Sequence, residues 1–145
     1  MFIATGACSG YLPWAPGTWG SAAGILIWLV FLQWFSLPVY LLFVAALFIL
    51  GIFSAGAAEK IVDKGDPGLV VIDEIVGQLI ALSCISSEPL PVLLAFLFFR
   101  LFDISKPFPV GWCDKHLHGG LGIMLDDVVA GFYALLTTQA FLYIM

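Results

Sequence analysis

The sequence predicts an all-α integral membrane protein of about five transmembrane helices, with a polar site where the helices meet the cytoplasm. Three observations lead there. Hydrophobic residues make up 62% of the 145-residue chain and charged residues only 10%. With a mean hydropathy of +1.10, this is more apolar sequence than a water-soluble core can hide. Pro and Gly divide it into runs near the roughly 20 residues that a spanning helix needs. When those runs are threaded alternately through a bilayer, every Lys and Arg falls on one side.

The first helix is expected from about Thr18 to Phe35, after YLPWAPG. The second runs from about Pro38 to Val62 and ends in EKIVDKGDPG. The third, from about Leu69 to Ser86, is closed by SSEPLP. The fourth, from about Leu90 to Ser105, is stopped by Pro107 and Pro109. The fifth runs from about Ile123 to Met145. The third and fourth are at the short end, which implies local thinning of the bilayer or partial burial. Gly and Pro fall mainly at the ends, as helices that satisfy their own backbone in lipid require. Residues 1–145 read as a single multi-spanning domain with no clear repeat. The N-terminus lacks a basic n-region and its first apolar stretch is short, so no cleaved signal peptide is expected.

Lys60, Lys64, Arg100, Lys106 and Lys115 gather on the face that holds the N-terminus and the loops after the second and fourth helices. By the positive-inside rule that face is cytoplasmic and the C-terminus is outside. All the acidic residues except Glu88 gather there too. Asp126 and Asp127 are thereby placed in the first turn of the fifth helix, near the interface, where a carboxylate costs less than at mid-bilayer. Five basic residues in a chain of net charge −5 exclude a phosphate-tracking groove for nucleic acid. Cys8, Cys84 and Cys113 have neither metal-type nor disulfide-type spacing and read as free thiols.

Five stretches meet at the cytoplasmic face: PGTWGS, DEIVGQ, FRLFDISKPFP, DKHLHGG and LDDVVAG. Helix capping asks for one Asp or Ser per helix start, not two adjacent acid pairs, Asp73–Glu74 and Asp126–Asp127, together with Asp103. Carboxylates crowded into one layer repel unless a cation lies among them, and hard oxygen ligands favour Mg²⁺, Ca²⁺ or Mn²⁺. Adjacent helical residues point about 100° apart, so one member of each pair suits a metal and the other a supporting hydrogen bond or the role of base. In PGTWGS the helix start and the Thr18 and Ser21 hydroxyls suit a phosphate. Arg100 and Lys106 flank Asp103 and suit phosphate recognition or orientation of that aspartate. Zinc on His116, His118 and Asp114 is thin on ligand pattern, and His118 fits better as a donor of a hydrogen bond or proton. The tryptophans read as interfacial anchors and packing.

In this order, PGTWGS, DEIVGQ, FRLFDISKPFP and HGGLGIMLDDVVAG resemble the phosphatidylglycerophosphatase A family across nearly the whole chain. The resemblance implies a Mg²⁺-dependent enzyme of the bacterial inner membrane, its active site facing the cytoplasm. It would hydrolyse the lipid phosphatidylglycerophosphate to phosphatidylglycerol and inorganic phosphate on the route to cardiolipin. The bilayer is its environment, and a homo-oligomer is compatible with the sequence. Asp73, Glu74, Asp103, Asp126 and Asp127 match the family's acidic positions, and Thr18, Arg100, Lys106 and His118 its polar ones. The expected metal ligands are Asp73, Glu74, Asp126 and Asp127. Asp127, Glu74, Asp103 and His118 are the expected catalytic groups, and Thr18, Ser21, Arg100 and Lys106 the substrate-binding ones.

No cysteine-nucleophile, phospho-aspartate or histidine-nucleophile phosphatase motif is present, which leaves metal-activated water as the simplest chemistry. An ion- or proton-coupled transporter would spread its acids through the membrane depth, whereas here they lie in one layer. A non-catalytic assembly subunit has no need of such a cluster. A lipid phosphotransferase shares the metal and the phosphate, and release of inorganic phosphate separates it from a hydrolase.

Overall fold

The computed structural model describes residues 1–63 and 67–145, and the basic residue Lys64 lies outside them. The described chain is all-helical, as expected. It contains α1 (Pro16–Val30), α2 (Leu37–Val62), α3 (Ile72–Ala81), α4 (Pro89–Ser105), α5 (Val110–His116) and α6 (Gly119–Ile144), with short 3₁₀ turns at Ser9–Tyr11 and Leu32–Trp34. Proline opens α1, α2 and α4, where its missing N–H removes no helical hydrogen bond.

The expectation of five spans is not met. Among the described residues only α2 and α6, 26 residues each, are long and apolar enough to cross a membrane. At 1.5 Å per residue α1 is about 22 Å long, α3 about 15 Å and α4 about 25 Å, against a hydrocarbon core of about 30 Å. The apolar run at 69–86 has a different cause: α3 packs against α1, α2, α4 and α6, and nearly all its residues are buried. It is apolar because protein surrounds it. Its ends are satisfied by other elements. The Ala4 carbonyl accepts the Val71 and Ile72 N–H groups at 2.9 and 3.2 Å. The Tyr40 hydroxyl donates to the Leu79 carbonyl at 2.5 Å, and the Gln139 amide donates to the Cys84 carbonyl at 2.8 Å. Backbone that leaves a helix at membrane depth is tolerated when it is covered in this way. The exterior carries Leu42, Phe53 and Leu136 at 71, 73 and 66% exposure, a surface suited to hydrocarbon and not to water. Two helices long enough to cross a membrane and an apolar exterior are the features a membrane protein requires.

The starts of α1, α3 and α6 meet the ends of α2 and α4. Gly17 approaches Glu74 and Arg100, and Gly120 approaches Ile52 and Gly56. The α6 crossings depend on glycine. A Cβ at Gly120 would lie 1.8 Å from the Ile52 carbonyl oxygen, and one at Gly131 would lie 2.4 Å from the Gly77 carbonyl oxygen. HGGLG therefore belongs to a helix held close to α2, and α6 begins at Gly119, not at Ile123. Asp126 and Asp127 consequently lie about 11 Å inside the helix, two turns beyond the first-turn position expected from sequence. DKHLHGG is likewise no continuous loop, because its first residues belong to α5.

Gly131→Ala is expected to destabilise the protein by about 1–3 kcal/mol, because the new Cβ presses on backbone that cannot yield without moving α3 from α6. Thermal unfolding in detergent measures this, and an unchanged midpoint would show that the crossing relaxes freely.

Candidate active site

Asp73 and Glu74 face Asp127 where α3 packs on α6. Asp73 and Glu74 stand in the first turn of α3, where the helix dipole favours negative charge. In both pairs the first acid turns back on the backbone. Asp73 Oδ1 accepts the Glu74 N–H at 3.0 Å, and Asp126 Oδ1 accepts the Asp127 N–H at 3.1 Å. Asp73, Glu74 and Asp127 each bring one carboxylate oxygen within 4.8 Å of the others. Asp73 and Asp127 are buried. Glu74 Oε2 is sealed from solvent and has no hydrogen-bond partner. Asp103 lies within hydrogen-bonding reach of Asp127.

Two cations border this group. Arg100 NH1 donates to Asp103 Oδ2 at 2.5 Å, one helical turn away on α4. Lys106 caps α4 in a left-handed conformation, φ 44°. Its ammonium donates to Asp126 Oδ2 at 3.0 Å and to Asp114 Oδ1. Burial alone would lower the Lys106 pKa. The Asp114 hydrogen bond and the Asp126 charge outweigh it and hold the ammonium above its ordinary range. Of the four expected metal ligands, three converge, and Asp126 turns instead to Lys106. The step of about 100° between adjacent helical residues separates it from Asp127. Five carboxylates against two cations leave the layer short of positive charge.

The start of α1 offers a phosphate less than its sequence suggests. The Ser21 hydroxyl is fully buried and donates to the Gly17 carbonyl at 2.9 Å, within its own helix. The Thr18 and Trp19 N–H groups both donate to the Ala15 carbonyl, at 2.9 and 3.4 Å. Thr18 is half-buried in the first turn. Gly17 matters in another way. A Cβ there would lie 2.3 Å from Glu74 Oε1 and 2.9 Å from an Arg100 guanidinium nitrogen, so its lack of a side chain lets both groups reach the site. Gly17→Ala is expected to keep or slightly raise stability, because Ala favours a helix by about 1 kcal/mol over Gly. Displacing Glu74 and Arg100 is expected to reduce phosphate release about tenfold or more, given the sensitivity of rate to misplacement. Parallel unfolding and rate measurements check this, and a normal rate would remove Gly17 from the site.

His118 is exposed, at the N-cap of α6. With Glu59, Asp114, Gly119, Gly122 and Asp126 it lines a cavity of about 180 Å³. It therefore joins the Lys106 side of the layer and not the Asp73–Glu74–Asp127 group. His116 is exposed, stacked on Trp112 at 4.9 Å, and its Nδ1 lies 2.9 Å from the Trp112 carbonyl oxygen. Sequence reasoning missed Gly17, Glu59 and Gln78. Gln78 is fully buried with both amide atoms lacking partners. Its signal was its place in DEIVGQ, one turn after Glu74, as a polar residue in an apolar helix.

The family described as phosphatidylglycerophosphatase A matches residues 2–142. Over 144 residues the chain is 40% identical to phosphatidylglycerophosphatase A of Haemophilus influenzae, covering 99% of this chain and 88% of that one. Over 132 residues it is 38% identical to phosphatidylglycerophosphatase A of Escherichia coli, covering 89% and 75%. It is 39% identical over 143 residues, covering 92% and 87%, to a Bacteroides thetaiotaomicron protein named, provisionally, as a phosphatidylinositol-3-phosphatase. No solved structure matches the chain.

Proposed function

The chain belongs to the phosphatidylglycerophosphatase A family, and from that membership we propose that it is a Mg²⁺-dependent lipid phosphatase. It hydrolyses phosphatidylglycerophosphate to phosphatidylglycerol and inorganic phosphate, at the cytoplasmic face of the bacterial inner membrane, in phospholipid synthesis. The observation that carries this reading is the convergence of Asp73, Glu74 and Asp127 between two ion-paired cations.

The donor set fits a hard cation. Three carboxylate oxygens lie within 4.8 Å of one another, and Glu74 Oε2 is buried without a partner. Asp73, Glu74 and Asp127 would hold Mg²⁺, which when bound supplies positive charge to phosphate oxygens and makes a water more acidic. Glu74 or Asp127 takes a proton from the attacking water as its oxygen bonds to phosphorus. Arg100, oriented by Asp103, and Lys106 offset charge that grows on the equatorial oxygens. Thr18 would contribute a hydroxyl to the phosphate, being next to Gly17, which approaches Glu74 and Arg100. Ser21 supports it only indirectly, by tying Gly17 in place. As the bond from phosphorus to the glycerol oxygen breaks, His118 gives that oxygen a proton from the cavity side.

Hydrolysis of a phosphoinositide monoester is the second reading, favoured by the name of the Bacteroides relative. One assay separates the readings. Purified protein in mixed micelles is given phosphatidylglycerophosphate or phosphatidylinositol 3-phosphate, and free phosphate is measured. Faster release from phosphatidylglycerophosphate is expected. Faster release from the phosphoinositide would support the second reading, and release from neither in the presence of Mg²⁺ would end both.

A further inference from the structure

Glu74 and Gln78 lie one turn apart on α3 and share a face. Val71 and the Glu74 Cβ meet Gly20 of α1, the Ile75 carbonyl and the Gln78 Cβ and Cγ meet Gly24, and Gly77 meets Phe99 of α4. The face therefore looks into the seam between α1 and α4, two helices that barely touch. At one end of the seam Glu74 and Arg100 approach Gly17. One turn on lies the Gln78 amide, fully buried and without partners, and Arg100 Nε is likewise buried and unpartnered. Level with Gly24, where the Gln78 side chain packs, Ala22, Ile25 and Leu29 of α1 and Val92, Leu93 and Phe96 of α4 line an apolar groove of about 500 Å³.

We propose that the α1–α4 seam is the cleft that binds the phospholipid itself, with an acyl chain in the groove, the ester region at Gln78 and the phosphate end at the acidic layer. This rests on the phosphatase reading. Along the seam a charged layer at Gly17 gives way to an amide level with hydrocarbon, as phosphate gives way to ester and chain in a phospholipid. Arg100 at the polar end complements an anionic headgroup. A buried amide without partners is costly, and a lipid oxygen accepting from Gln78 Nε2 and Arg100 Nε removes the donors' share of that cost. The outer faces of α2 and α6 also meet lipid, but no buried unpartnered amide stands beside an apolar groove there among the described residues.

Ala22→Trp and Leu93→Trp fill the groove from opposite walls. Both positions are exposed, and Leu42→Trp on the outer face of α2 serves as control. Each variant is assayed on dioleoyl phosphatidylglycerophosphate and on its deacylated headgroup, glycerophosphoglycerophosphate. The groove variants are expected to raise KM for the long-chain lipid about tenfold and to leave turnover of the deacylated headgroup unchanged. An unchanged KM, or equal losses on both substrates, would overturn the proposal. A second readout needs no turnover. Phosphatidylglycerol with a photoreactive acyl chain is expected to label the Ala22 and Leu93 peptides in wild type, and excess unlabelled phosphatidylglycerol is expected to suppress that labelling. Labelling that resists competition, as bulk lipid on α2 would give, refutes the groove even if neither substrate is hydrolysed. Competable labelling without hydrolysis would support the groove and refute the phosphatase reading.

Discussion

Asp127→Asn is expected to give a folded protein whose phosphate release falls about 10²-fold or more, by analogy with the loss of a metal ligand or of a charge-stabilising group. The substitution keeps the size of the side chain, removes its charge and turns one acceptor oxygen into an N–H donor. Asp127 lies two turns inside α6, so it caps nothing and stability gives no reason for its charge. It is buried beside Asp73 and Glu74, with Asp103 in reach, so neutralising it relieves repulsion and is expected to hold or raise the unfolding temperature. Asp126→Asn is the contrast. Its one amide oxygen keeps only one of the two bonds that Asp126 accepts, from Lys106 at Oδ2 or from the Asp127 N–H at Oδ1, and a smaller loss, about tenfold, is expected from a group that supports the site at one remove. Rates and thermal unfolding of both variants check this. Near-normal rates in both would make the pair structural and move the site to Asp73, Glu74 and Asp103.

Magnesium is expected to stabilise the protein apart from any turnover. A cation that binds only the folded state at a hundred times its Kd adds about 2.7 kcal/mol. Here it would enter a layer in which the acids outnumber Arg100 and Lys106. The unfolding midpoint in detergent is expected to rise with Mg²⁺ in wild type and to stay flat in Asp127→Asn. A rise of equal size in both would place the cation elsewhere.

Much of the candidate site was legible in the sequence because its residues are chemically costly where they stand. Two acid pairs, Asp103, Arg100 and Lys106 in an apolar chain have no reason to gather except to meet one another, and alternate threading already put them in one layer. The helices were legible as helices, but not as spans. Hydropathy reports an apolar surrounding without saying whether it is lipid or protein, so α3, sheathed by four neighbours, reads the same as a helix facing hydrocarbon. Glycine misled for a related reason. Gly119, Gly120 and Gly122 look like a loop before the last helix. In the fold Gly120 lets α2 approach, and the space beside Gly131 is taken by the Gly77 carbonyl. The split between Asp126 and Asp127 follows from helix geometry once the partner helices are known, but sequence alone does not say which of the two faces α3.

The central claim is that Asp73, Glu74 and Asp127 hold a cation that the hydrolysis of a lipid phosphate requires. The most direct measurement is phosphate release from phosphatidylglycerophosphate by purified wild-type protein with Mg²⁺, after chelator, and after Mg²⁺ is restored. Release is expected to run, stop and resume. Release that continues undiminished in chelator would contradict the claim.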